Sequence, residues 1–236
     1  MLGVVIPAHN EKDVIATCLW HVQRAALHPA LLGESVEVVL VADACTDATL
    51  DRAAAFAVHT LSIDARSVGV ARGAGAECLL SRGARWLAFT DADTLVSASW
   101  LVEQLSLDAD VVCGTVGVDD WSPHGEHADL LRWHFSQTYN DADEHRHIHG
   151  ANLGLSAAAY RLAGGFQALA SSEEVALVQT LEALGARIAW SARPRVVTSA
   201  RRGARASAGF ADALIHAVNW RLKEGLPTAA LNAAAP

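Results

Sequence analysis

The feature that most constrains this chain is a regular alternation in its N-terminal part. Short apolar runs at Leu2–Ile6, Val36–Val41 and Trp86–Phe89, together with a third strand read at His59–Ile63, are separated by stretches of helical period. Runs that are apolar throughout suit strands buried on both faces, as in parallel sheets. Between them, Val14, Ile15, Cys18, Leu19, Val22 and Ala26 form one helical stripe, and Thr46–Val58 and Gly69–Ser81 read as further helices. Asn10, with Asp13 three residues on, stands where the first of these helices would be capped. Strands alternating with helices of this length predict an α/β fold, a Rossmann-like, mostly parallel sheet with helices on both faces.

The second half is less regular. Ser97–Leu107 reads as a helix, Asp110–Val118 as a strand, and residues 119–149 carry Trp, His and Asp without a clear period beyond a helical stretch at His127–Tyr139. A compact Gly-rich element follows at Gly150–Gly154. Next come a helix over Ser172–Leu184 capped by Ser171 or Ser172, short strands at Arg187–Trp190 and Arg195–Thr198, a basic loop at Arg201–Arg205 and a helix at Ala208–Arg221. A length of 236 residues fits a single domain. Its expected halves are residues 1–95 and 96–225, followed by a flexible tail over 226–236.

Bulk properties narrow the function. A net charge of -8 argues against a nucleic-acid partner, which would need a basic surface. No apolar run is long enough to span a bilayer, and no basic region precedes the first apolar run as in a signal peptide. Cys18, Cys45, Cys78 and Cys113 show no metal or redox spacing and read as reduced thiols. Together these predict a soluble, cytoplasmic protein.

In sheets of this kind, ligands bind beyond the carboxyl ends of the strands. Pro7, His9, Asn10 and Glu11 follow the first strand, Asp43 the second, and Asp91 and Asp93 the fourth. Asp91 and Asp93 straddle one residue, so extended backbone points both the same way. Such a pair can hold one hard divalent cation and leave positions open for phosphate oxygens and water. That suits a nucleoside diphosphate leaving group, whose growing negative charge the metal offsets. Asp93 could instead simply cap a turn, but its place in register with Asp43 favours the metal.

Several segments in order resemble the family 2 glycosyltransferases of the GT-A fold. They are Val4-Val5-Ile6-Pro7-Ala8-His9-Asn10-Glu11, Val39-Leu40-Val41-Ala42-Asp43-Ala44-Cys45-Thr46-Asp47, Gly69-Val70-Ala71-Arg72 and Asp91-Ala92-Asp93. His149-Gly150-Ala151-Asn152, Gly164-Gly165-Phe166 and Ser172-Glu173-Glu174-Val175-Ala176-Leu177 complete the series, with a small acceptor-side subregion in the second half. The resemblance implies an inverting enzyme that moves a sugar from a UDP- or GDP-type donor to a hydroxyl acceptor, assisted by Mn2+ or Mg2+. It implies that Pro7, Ala8, Asn10, Glu11 and Asp43 hold the nucleoside and that Arg72 approaches the diphosphate. Asp93 is then the direct metal contact, and Asp91 serves the ribose or supports the metal. Asn152 lines the acceptor side. Glu174 is the base, with Glu173 the alternative, although the family usually places an aspartate at that position.

One departure stands out. Relatives often carry a further histidine ligand where this chain has Thr198, so either water replaces it or Arg201 and Arg202 neutralise the diphosphate. His145, His147 and His149 alternate and would share one side of a strand, as a zinc site or as a polar loop beside the acceptor pocket. Trp121, Trp133 and Tyr139 offer a sugar or an aromatic acceptor a stacking face, or Trp133 is core on the helical stretch His127–Tyr139. Two other readings compete. A sugar-phosphate nucleotidyltransferase would need a Gly-rich loop after the first strand, where this chain has Pro7–Glu11. A non-catalytic nucleotide-sugar binder would keep Asp43 and Asp93 without needing the base.

Overall fold

The computed structural model describes residues 1–169 and 171–201. Eight strands form one sheet: β1 (Leu2–Ala8), β2 (Val36–Asp43), β3 (His59–Ile63), β4 (Trp86–Phe89), β5 (Thr94–Val96), β6 (Val111–Gly117), β7 (Leu153–Ser156) and β8 (Ile188–Thr198). Their spatial order is β3-β2-β1-β4-β7-β6-β8-β5. β1 runs parallel to β2 and β4, β2 to β3, and β6 to β8, while β7 and β5 run antiparallel to their neighbours. The ends of β1, β2, β4, β6 and β8 therefore lie on the same edge, and β7 starts there.

The period of two divides the strands between two cores. Val4, Ile6, Val38, Leu40 and Ala88 face α1 (Ile15–Ala26) and α4 (Trp100–Ser106), meeting Leu19, Val22, Trp100 and Leu101. Val5, Val39, Val41, Leu87 and Phe89 face α3 (Val68–Ser81) and α7 (Glu173–Ala183), meeting Ala76, Leu79, Leu177 and Leu181. Burying each such Val, Leu or Ile contributes about 1.5–3 kcal/mol before conformational entropy is counted. A small third cluster of Trp121, Leu131 and Ala200 lies under α5 (Ala128–Thr138). Among the described residues, no helix is long and apolar enough to cross a membrane.

The four expected N-terminal strands form, but some local expectations fail for identifiable reasons. Asn10 does not cap α1, which starts at Ile15 with Val14 at its N-cap and no side-chain bond. Asn10 has φ 56°, and its side-chain oxygen instead accepts the amides of Thr46 and Asp47 at 2.8 and 3.2 Å. With those amides engaged, the expected Thr46–Val58 helix shrinks to α2 (Thr49–Ala53). Ser172 occupies the N-cap of α7 without a side-chain bond, because its φ of 61° is left-handed rather than extended. The two short strands expected after residue 186 are one strand, β8. It carries extra residues between Ser191 and Val196, opposite Gly114–Val116. Pro194 sits in that bulge, where a missing N–H costs no ladder bond. β5, β7 and α6 (Ala157–Leu162) had no distinct sequence signal. The expected helix at 208–221, Arg202 and the tail lie outside the described residues.

Candidate active site

The sheet edge gathers the expected side chains. Asp43 ends β2 with its carboxylate capped by the loop before α3. One oxygen accepts the amides of Ala65 and Arg66 at 2.7 and 2.8 Å, and the other accepts Ser67 at 2.7 Å. Three of roughly four carboxylate lone-pair sites are filled, which leaves one for an external N–H. His9 Nδ1 lies 2.7 Å from the Asp43 carbonyl, and Pro7 and Ala8 lie opposite Val41 and Ala42. Pro7, Ala8, Asn10 and Asp43 thus converge at the β1–β2 ends.

Beyond β4, Arg72 of α3 is buried at 4% exposure between acidic partners. Its Nη2 donates to Asp91 at 2.6 Å, and its Nη1 donates to Glu173, which is 1% exposed. Two glycines make this approach possible. A Cβ at Gly150 would collide with the Arg72 guanidinium, and one at Gly69 would lie 2.9 Å from Glu173 Cγ. Arg72 thus donates to Asp91 and Glu173 through its two terminal nitrogens, while its buried Nε has no partner among the described residues. Glu174 stands 4.0 Å from Arg72 Nη1 and is more open than Glu173. Burial raises its pKa, against the opposing pull of Arg72. The adjacent glutamates thus separate: Glu173 is locked in an ion pair with Arg72, and Glu174 stays outside it and more exposed.

A second ionic cluster was not legible as a unit. Arg201, just past β8, donates from Nη1 to both carboxylate oxygens of Glu11 at 2.8 and 2.7 Å. Its Nε lies 3.2 Å from Asp93. Burial pushes Asp93 up to about 6, with Arg201 pulling the other way. Arg201 thus bridges the carboxylates of Glu11 and Asp93. No short-range pattern links residues 11, 93 and 201.

Asn152 also differs from expectation. It is fully buried, accepts Trp100 Nε1–H at 2.9 Å, and donates to the carbonyls of Thr115, at 2.8 Å, and Pro194. It pins the Gly150–Asn152 turn to β6 and the β8 bulge instead of lining an acceptor pocket. Asn152→Ala should cost about 1–3 kcal/mol, because it strands the Trp100 donor and two carbonyls. A urea-titration loss under about 0.5 kcal/mol would show that the network is dispensable.

The alternating histidines do lie on one side. His145–His147 and His147–His149 ring centroids are 5.5 and 5.9 Å apart. Among the described residues, no group of three His, Cys, Asp or Glu side chains is arranged to hold a metal ion. Trp121 is core at 2% exposure, packed on Phe135, while Trp133 is 39% exposed on α5. Tyr139 is sandwiched between Phe135 and His147, with centroids at 4.5 and 4.2 Å.

Similar solved structures share this architecture. One is residues 1–349 of TarS from S. aureus in complex with UDP-GlcNAc, at TM-score 0.63 and 16% identity, covering 98% of this chain and 69% of that one. Against the longer TarS structure, this chain spans only 36% of the length. Another is the mannosyltransferase PcManGT from Pyrobaculum calidifontis with GDP-Man and Mn2+, at TM-score 0.61 and 16% identity, covering 98% and 78%. A third is glucosyl-3-phosphoglycerate synthase from Mycobacterium tuberculosis with Mn2+, UDP and glucosyl-3-phosphoglycerate, at TM-score 0.53 and 16% identity, covering 96% and 81%. At such identities the likeness establishes the GT-A fold alone. No curated protein matches the sequence significantly. The model of glycosyl transferase family 2, however, matches residues 3–162, about two thirds of the chain, and the chain belongs to that family.

Proposed function

We propose that the protein transfers a sugar, with inversion, from a nucleoside-diphosphate donor to an acceptor hydroxyl, with Glu174 as the base. The observation that carries this reading is the unequal state of the glutamate pair beside Asp91. Arg72 neutralises Glu173 and holds Asp91, while Glu174 remains off the ion pair with a raised pKa. A carboxylate tuned upward, at the edge where donors bind in this fold, suits removal of a hydroxyl proton near neutral pH. As the acceptor oxygen bonds to the anomeric carbon, its proton passes to Glu174, and the bond from that carbon to the diphosphate oxygen breaks.

Around that step, Asp43 keeps one lone pair for a ring N–H of a uracil or guanine base, flanked by Pro7, Ala8 and Asn10. Asp93 and Asp91 offer hard oxygen donors that fit Mn2+ or Mg2+. Such an ion would offset the charge developing on the departing diphosphate. Arg201 already places one positive charge against Asp93 and is the chain's own counter-cation for the same phosphate. Arg72 acts through Asp91 and Glu173 by fixing their orientation.

A thermal-shift screen of UDP, GDP and their glucose, N-acetylglucosamine and mannose derivatives, with and without Mn2+, tests the donor class. A ligand that binds the native state raises the melting temperature by mass action, about 2.7 kcal/mol of stabilisation at a hundredfold excess over Kd. One nucleotide series should stabilise the wild type, and Asp43→Ala should abolish that shift. No shift with any of them would overturn the reading. A non-catalytic binder would show the same shifts, and the Glu174 variant discussed below separates the two.

A further inference from the structure

The ring of His149 is oriented by Tyr139, which the core and two stacked rings hold in place. Tyr139 Oη accepts the amide of Val116 in β6 at 2.8 Å. The same oxygen lies 3.0 Å from His149 Nε2. Every group is satisfied when the phenol gives its proton to His149, so Nε2 is the acceptor and the imidazole hydrogen sits on Nδ1. Tyr139 cannot turn away, because Phe135 and His147 stack on its two faces at interplanar angles of 13° and 9°. His147 is itself fixed: its Nε2 accepts the Asn140 amide, and its own amide donates to His145 Nδ1, both at 3.1 Å. Burial, followed by the neighbouring His147 and His145, lowers His149 to about 4, so the ring is neutral at pH 7.

His149 also sits in a fixed place. Its carbonyl accepts the Asn152 amide at 3.0 Å, and the next residue, Gly150, packs directly on the Arg72 guanidinium. The ring lies close enough to Asp91 to feel its charge. Among the described residues, nothing takes the Nδ1–H. The result is a neutral donor fixed on the wall beside the Asp91–Arg72–Glu173 assembly, in a neighbourhood otherwise rich in acceptors.

We propose that His149 is a sugar-recognition residue that donates its Nδ1–H to a hydroxyl oxygen of the sugar being transferred, with Tyr139 as its positioning residue. This rests on the glycosyl-transfer reading above. His149 and Glu174 both lie within electrostatic reach of Asp91, so on that reading the ring stands on the side where the transferred sugar has to lie. A neutral donor suits a hydroxyl there, and as a neutral group it adds no charge that would compete with Arg72 for Asp91.

The test uses the nucleotide sugar that stabilises the wild type most, among UDP-glucose, UDP-N-acetylglucosamine, GDP-glucose and GDP-mannose, and its parent nucleoside diphosphate. His149→Leu should weaken binding of the nucleotide sugar, or slow its hydrolysis, roughly five- to tenfold. Affinity for the nucleoside diphosphate should stay within about twofold. His149→Asn, whose amide nitrogen can replace Nδ1–H, should recover most of the loss. Nitrogen-15 spectra should show the His149 hydrogen on Nδ1 in the wild type and a mixture of tautomers in Tyr139→Phe, which a purely packing role for Tyr139 would not produce. A wild-type ring protonated on Nε2 would overturn the assignment, as would a His149→Leu variant that still separates nucleotide sugar from nucleoside diphosphate as the wild type does. If the wild type binds none of these nucleotides, the glycosyl-transfer reading fails and takes this proposal with it.

Discussion

Glu174→Gln should lower transfer or donor hydrolysis by roughly 10²–10⁴-fold, the range a positioned general base contributes, while nucleotide binding persists. The amide keeps the size and hydrogen bonding of the side chain but cannot take a proton. Glu173→Gln is the informative control. That residue is buried against Arg72, so its loss should appear chiefly as reduced stability. The pH dependence follows from the direction of the Glu174 shift. Burial raises its pKa, and a base works only when ionised. Activity should therefore rise with pH along an acid limb lying above the ordinary glutamate range, and Glu174→Gln should flatten that limb. Turnover unchanged in Glu174→Gln would remove Glu174 from the base position and favour a binding protein over an enzyme.

The second large effect is on folding. Arg72→Ala should cost about 3–5 kcal/mol in a urea titration, because removing one partner leaves a buried charge uncompensated. Glu173 is 1% exposed and has Arg72 as its ion-pair partner, while Asp91, at 34% side-chain exposure, can turn to water. The cost therefore falls on Glu173. Combining Arg72→Met with Glu173→Leu should restore most of the loss, since apolar replacement of a whole buried pair is often neutral. A loss below about 1 kcal/mol in the single variant, within the ordinary run of substitutions, would mean that Glu173 has another source of stabilisation.

What the sequence revealed, and what it hid, follows from the range of the interactions involved. The parallel half was legible because Val4–Ile6, Val38–Val41 and Leu87–Phe89 are buried on both faces, and continuous apolar runs report this directly. Asp43, Asp91 and Asp93 could be placed because the end of a strand is a local feature. The fate of Asn10 was not local: its partners are Thr46 and Asp47, and capping rules see only a few residues ahead. Asn152 read as a ligand-facing amide because a buried Asn and an exposed one look alike in sequence. Its partners Trp100, Thr115 and Pro194 come from three other elements. Adjacent Glu173 and Glu174 could not be told apart until Arg72, a hundred and one positions away from the first, chose one of them.

The contact between Arg201 and Glu11 spans 190 positions. Loop-closure entropy favours assembling the acidic edge before it is neutralised. β1, β2 and β4 can pair as soon as the first ninety-three residues are present, bringing Glu11, Asp91 and Asp93 near one another with Arg72 to answer only Asp91. Closing so long a loop is entropically expensive and slow relative to local pairing. Docking of β8 is therefore the step that carries the missing positive charge to the site, and a refolding chain should acquire nucleotide affinity only in its last kinetic phase, well after most of its sheet has formed.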